Sequence, residues 1–190
     1  MKFLDSRGYL LVPGVRLLHA RLHVHASALV LAGLLLVAGF GQPSHALVSV
    51  ACYFGVILLH EAGHAAMARR LGYAAPGIWL SFLHGACEHD AAGTRRDDAL
   101  IAWGGVLAQL AVAVPLMALA QLHVFDTSPL GRIVVVGFGR ASLLLVVFNL
   151  LPIRPLDGAK AWSLLPILLR EWRARGIAKR TARDLLRRLK

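Results

Sequence analysis

Four stretches of the chain, at approximately 24–41, 46–68, 98–121 and 131–151, are dominated by apolar residues, and polar residues collect between them. At about 1.5 Å per helical residue, each is long enough to cross a hydrocarbon core of about 30 Å. A fifth apolar stretch, 156–169, is shorter and follows Pro152 and Pro155, which predicts a half-helix completing a broken span. Between the second and third spans, Pro76 to Ala86 reads as β-prone residues with turn formers. These elements predict an all-α polytopic membrane protein with about four transmembrane helices plus the half-helix. A chain 57% hydrophobic and only 16% charged argues against a soluble domain. The expected organisation is an N-terminal segment with the first span over 1–45, a core over 46–169, and a tail over 170–190.

Charge sets the orientation. Lys2, Arg7, Arg16 and Arg21 precede the first span, and Arg69, Arg70, Arg95 and Arg96 lie between the second and third. Gly41 to His45 has no Lys or Arg, the loop before the fourth span has only Arg132, and the tail from Arg170 to Lys190 is densely basic. Cytoplasmic loops carry the excess of Lys and Arg, so both termini are expected in the cytoplasm. The Ala, Leu, Arg and Gly-rich composition points to a bacterial cell membrane. A competing reading makes Ala26 to Phe40 a signal-peptide core cleaved after Ser44-His45-Ala46, which an N-terminal sequence beginning at Leu47 would reveal. The net charge of +11 does not call for a nucleic-acid partner, because the tail has a local pattern. Ile177, Thr181, Leu185 and Leu189 share a face beside Arg180, Arg183, Arg187 and Arg188, a basic amphipathic helix suited to anionic membrane lipid.

Inside the second span stands His60-Glu61-Ala62-Gly63-His64. Two histidines four apart on a helix project from one face and can ligate one metal, and Glu61 can then reach a metal-bound water. Zinc lowers the pKa of such a water from about 16 to about 7, so that a carboxylate can take its proton as it attacks a carbonyl. Uncompensated His and Glu in hydrocarbon cost roughly a few kcal/mol and mark function. A catalytic zinc needs a third protein ligand. Asp157 is the best candidate, since it alone among the acidic residues follows a span and lies between prolines and a glycine, where the helix must break. The plainer alternative makes Asp157 the N-cap of the next helix.

With both motifs in place, the chain closely resembles the site-2 protease family of intramembrane zinc metalloproteases. His60 to His64 matches the family's first motif, and Asn149-Leu150-Leu151-Pro152-Ile153-Arg154-Pro155-Leu156-Asp157-Gly158 matches its Asn-x-x-Pro-x-x-x-Leu-Asp-Gly motif at every defining position. The resemblance implies one zinc ion per chain on His60, His64 and Asp157, with Glu61 as general base. It further implies that Asn149 holds the substrate backbone or the developing oxyanion, unless Asn149 serves only as an interhelical hydrogen bond. A weaker match, Gly104-Gly105-Val106-Leu107-Ala108-Gln109, resembles the family's Gly-Pro-x-x-Asn element with Val106 and Gln109 in place of its proline and asparagine. Gln109 is therefore a candidate for substrate contact or for packing. The resemblance also turns Pro76 to Ala86 into a membrane-associated β-hairpin, whose edge near Gly85 would take an unwound substrate segment as an added strand. Expected partners are a single-span transmembrane substrate and anionic lipid at the tail. A catalytically silent scaffold, or a zinc-binding transporter or sensor, would keep the same architecture and differ in not requiring the Glu61 carboxylate.

Three other groups attract notice. His19, His23 and His25 include a pair at helical spacing but read as interfacial residues. His84, Cys87, His89 and Asp90 lack a standard ligand spacing and read as a solvated loop. Arg140, inside the fourth span, needs a carbonyl partner, a wet cavity or a path to the surface.

Overall fold

Among the residues that a computed structural model describes, 8–188 for the backbone and up to 179 for side chains, three helices have the length and apolarity of membrane spans. They are α2 (Pro43–Arg70), α3 (Arg95–Gln121), and a third span over Pro129–Asn149. That third span is built from α4 (Pro129–Val134), a π-helical turn (Val135–Arg140) and α5 (Ala141–Asn149).

The helix of the expected first span, 24–41, is shorter than expected. This helix, α1 (Ala26–Ala38), has 13 residues. At about 1.5 Å per residue this is about 20 Å, less than the other three, and α1 still leads the chain away from the sheet to which α2 brings it back. Val24 and His25 belong to a strand instead, and His25 caps α1 by accepting the Ser27 N–H on Nδ1 at 3.1 Å.

The all-α expectation is corrected as well. A four-stranded sheet runs in the order β1 (Tyr9–Leu17), β2 (Ala20–His25), β3 (Gly77–Leu80), β4 (Gly85–Glu88). The hairpin expected between the second and third spans is β3–β4, antiparallel with Leu80 opposite Gly85. The N-terminal hairpin β1–β2 enlarges it, because β2 pairs parallel to β3 from Arg21 opposite Gly77 to Val24 opposite Leu80. The alternation in β2 explains the pairing: Ala20 and Leu22 are buried while Arg21 is exposed. Ala20, Leu22, Ile78 and Leu80 pack against Ile57, Ala65 and Ala68 of α2 and Ile101 of α3 in one core. Since β2 precedes α1 and β3 follows α2, the α1–α2 pair returns the chain to the side it left.

α2 and α3 make the most extensive helix contact, and small residues explain how close it is. A Cβ on Gly63 would strike the Gly104 carbonyl oxygen, and a Cβ on Gly104 would strike that of Gly63. This crossing lays the face of α2 carrying the histidines directly on α3. After the third span the chain turns through residues 150–157 into α6 (Gly158–Ala161) and then α7 (Leu164–Arg188). The expected half-helix over 156–169 is thus divided, and α7 continues unbroken past residue 170. Of the expected amphipathic face on the tail, Ile177 is exposed, and the side chains of Thr181 and Leu185 and all of Leu189 lie outside the described residues. Arg140 is exposed on the third span, at the end of its π turn.

Candidate metal centre

Helical spacing puts His60 and His64 one turn apart on α2, and both are buried with Glu61 between them in sequence. Their Nε2 atoms are 3.0 Å apart. Asp157 arrives from the turn after the third span and places Oδ2 2.9 Å from His60 Nε2 and 3.2 Å from His64 Nε2. Asp157 is the N-cap residue of α6 by position but makes no side-chain capping bond, and its carboxylate faces the histidines instead. Three bonds anchor the turn. Trp162 Nε1–H donates to the Leu150 carbonyl at 2.6 Å, Trp103 Nε1–H to the Ala161 carbonyl at 3.0 Å, and Lys160 Nζ to Asp98 Oδ1 at 3.0 Å.

The outer ring nitrogens define which tautomers are present. His60 Nδ1–H donates to Gln109 Oε1 at 3.1 Å, and His64 Nδ1–H donates to the Ile101 carbonyl at 2.7 Å. Each Nε2 is then a lone pair facing the other and facing a carboxylate oxygen. A single shared proton cannot satisfy all three contacts, whereas one cation can. Tetrahedral zinc with ligand bonds of about 2.0–2.1 Å separates its ligand atoms by about 3.3 Å, close to the spacing here. The donor set therefore fits zinc. Among the described residues, no other group of three His, Cys, Asp or Glu side chains converges in this way.

The neighbouring candidates are occupied elsewhere. His84 Nδ1 is bonded to Ser81 Oγ at 3.1 Å, His89 Nδ1 donates to the Asp90 carbonyl at 2.7 Å, and Asp90 Oδ2 accepts the Ala74 N–H at 2.9 Å. Burial, and then the carboxylates of Glu61 and Glu88, push the Cys87 thiol up to about 12, and its sulfur is not part of the converging ligand group. His19 lies in a turn, His23 stacks on Trp79 with ring centroids 4.0 Å apart, and His25 caps α1. The spacing of His19 and His23 thus places no pair on a helix face.

His60, Glu61, His64, Asn149 and Asp157 all line one cleft of about 460 Å³ between α2, β4 and the Asp157 turn. Asn149 Nδ2 stands 3.5 Å from His60 Nε2. Strand β4 forms the wall over Glu61, with Gly85, Ala86 and Cys87 lining the same cleft. A Cβ on Gly85 would collide with Glu61 Cγ and stand 2.7 Å from its Oε1. Gln109 is placed otherwise than a substrate contact requires. It is 0% exposed, behind His60 and away from the cleft lining.

The expected residues omitted Gly105, which the structure puts at the centre of the site. A Cβ on Gly105 would stand 2.6 Å from both His60 Cε1 and His64 Nε2. Its signal is positional: Ile101, Gly105 and Gln109 recur at intervals of four on α3, one helix face.

This arrangement matches a known architecture. A solved structure, the Site-2 Protease from Methanocaldococcus jannaschii, superposes with a TM-score of 0.63 at 20% identity, covering 86% of this chain and 72% of that one. The chain has the site-2 protease fold. In sequence it is 29% identical over 147 residues to the Stage IV sporulation protein FB of Bacillus subtilis (strain 168). That match covers 76% of this chain and 47% of the relative, so the chain spans about half the length of that curated relative. No protein-family model matches it. The resemblance to the site-2 protease family that the two motifs carry is borne out by fold and sequence together. Within the site-2 protease fold, the His60, His64 and Asp157 cluster lies where α2 meets the turn that follows the third span.

Proposed function

We propose that the chain is an intramembrane zinc endopeptidase that hydrolyses a peptide bond in or near the transmembrane segment of another protein. The observation that carries this reading is the convergence of two imidazole lone pairs and one carboxylate in a cleft that also holds Glu61 and Asn149, between apolar helices. A zinc ion held by His60, His64 and Asp157 would supply a Lewis acid that acidifies water beside Glu61. Glu61 is the general base. Its carboxylate accepts a proton from water as the water oxygen bonds to the peptide carbonyl carbon, and returns a proton to the nitrogen as the C–N bond breaks. Asn149 is oriented by the end of the third span, and its Nδ2–H group donates to the carbonyl oxygen as negative charge builds there.

A membrane helix shields its own peptide bonds, so the substrate must unwind at the cleavage point. Replacement hydrogen bonds are to hand on β4. Gly85, Ala86 and Cys87 line the cleft with Glu61 and β4 ends the sheet among the described residues, so its edge runs beside the reacting groups, and a substrate segment added to that edge is delivered to them. Gly85 keeps the wall clear of the base. Gly85→Val is expected to lower cleavage by about 10- to 100-fold with bound zinc unchanged, by displacing the carboxylate about 1 Å. Steady-state cleavage and metal analysis of the same preparation check this.

The substrate is a single-span membrane protein, such as a membrane-tethered regulator or a signal-peptide remnant. Both termini face the cytoplasm of a bacterial cell and the cleft opens on that side, as the basic residues flanking it indicate. Arg170, Arg173, Arg175 and Lys179 on α7 lie along anionic lipid headgroups. The test is proteolysis of single-span reporter proteins by the chain reconstituted in liposomes. Cleavage within or beside the reporter's span, abolished by a zinc chelator and restored by zinc, is the expected result. No cleavage across a varied reporter set at full zinc occupancy contradicts it.

A further inference from the structure

Gln109 is a polar side chain on an apolar span, 0% exposed, and its Nε2 has no hydrogen-bond partner among the described residues. Burying an amide with one end unpaired is unfavourable, and an apolar residue of similar volume would fill the same space at no such cost. Packing therefore does not account for a glutamine here. What the carboxamide does make is one bond, from its Oε1 to the Nδ1–H of His60 at 3.1 Å. The direction of that bond matters. With oxygen toward the ring, the imidazole proton is held on Nδ1 and Nε2 is left as the lone pair facing Asp157 and His64. With the amide nitrogen toward the ring, Nδ1 would have to accept, the proton would move to Nε2, and the ligand position would be blocked.

We propose that Gln109 is a positioning residue of the metal centre, fixing the tautomer and rotation of His60 so that Nε2 is presented to the ion. The face of α3 that carries it forms the support for both imidazoles. The Ile101 carbonyl holds His64 through Nδ1 at 2.7 Å, Gly105 leaves the rings their space, and Gln109 holds His60. Outer partners of this kind set ring orientation and ligand basicity. Gln109 thus takes no part in substrate contact. The proposal rests on the zinc reading above and concerns how the site is assembled.

The test uses the full chain in detergent. Zinc dissociation constants are measured by competition with a chromophoric chelator, the visible spectrum is recorded after cobalt substitution, and thermal stability is followed in parallel. Gln109→Leu is expected to fold with stability equal to or above wild type, to bind zinc about 10- to 100-fold more weakly, and to show a shifted cobalt spectrum. Gln109→Glu keeps an acceptor toward Nδ1 and is expected to recover most of the affinity. Gln109→Met, also without an acceptor of that strength, carries the same comparison should the branched side chain prevent folding. A folded Leu or Met variant with wild-type zinc affinity and cobalt spectrum overturns the proposal and leaves the zinc reading standing. A folded wild-type chain that binds no zinc overturns both.

Discussion

Glu61→Gln is expected to lower peptide-bond cleavage by about 10²- to 10⁴-fold while zinc content stays at the wild-type level. The reasoning is geometric. Glu61 is on α2 beside both histidines in sequence, lines the same cleft, and supplies no ligand atom to the His60, His64 and Asp157 group. Glutamine preserves the side-chain length and shape, so the wall formed by β4 has no reason to move. What it removes is the capacity to take a proton from water. Cleavage of a single-span reporter, measured beside zinc analysis on the same sample, separates the two effects. Retained cleavage would assign the base elsewhere, whereas a zinc-loaded wild-type chain that cleaves nothing would return the chain to the scaffold, transporter or sensor readings.

Gly105→Ala is expected to weaken zinc binding by at least about 100-fold, more than the loss of an outer hydrogen-bond partner produces, with cleavage falling in parallel. One methyl group suffices because its position 2.6 Å from His60 Cε1 and from His64 Nε2 leaves both rings without their observed places. The neighbours that must give are the ligand rings themselves. They can swing toward the cleft, which spoils the convergence with Asp157. Alanine favours helix over glycine, by about 1 kcal/mol, so the backbone of α3 itself is not weakened. Circular dichroism of the variant should match wild type while a zinc titration does not. Wild-type zinc affinity in Gly105→Ala would mean that α2 and α3 stand farther apart than described.

Much of the site was legible in sequence because its chemistry is local. His60, Glu61 and His64 lie within one turn and a half of helix, and Asp157 is marked by prolines and a glycine that a continuing helix would not tolerate. The spans α2, α3 and Pro129–Asn149 followed from apolar length alone. The N-terminal sheet was hidden for two reasons. The alternation of Ala20, Leu22 and Val24 runs straight into the apolar helix α1, so that hydropathy counts Val24 and His25 as span, and the partner of β2 is β3, more than fifty residues on. α1 also ends early, at Gly39, which shortens a stretch whose composition alone reads as long enough. Gln109 and Gly105 were visible as residues but not as parts of the centre. Their role depends on the α2–α3 crossing at Gly63 and Gly104, which sets which face of α3 meets the imidazoles, and spacing along one helix does not specify what the other helix presents to it.

The central claim is that His60, His64 and Asp157 form one zinc site, and zinc stoichiometry tests it most directly. The detergent-purified chain and its Asp157→Asn variant are compared by metal analysis after dialysis against trace zinc. The account predicts close to one zinc per wild-type chain and a sharp loss in Asp157→Asn, whose amide nitrogen or weakly basic oxygen replaces the carboxylate ligand. A folded wild-type chain without zinc, or equal zinc in both proteins, contradicts it.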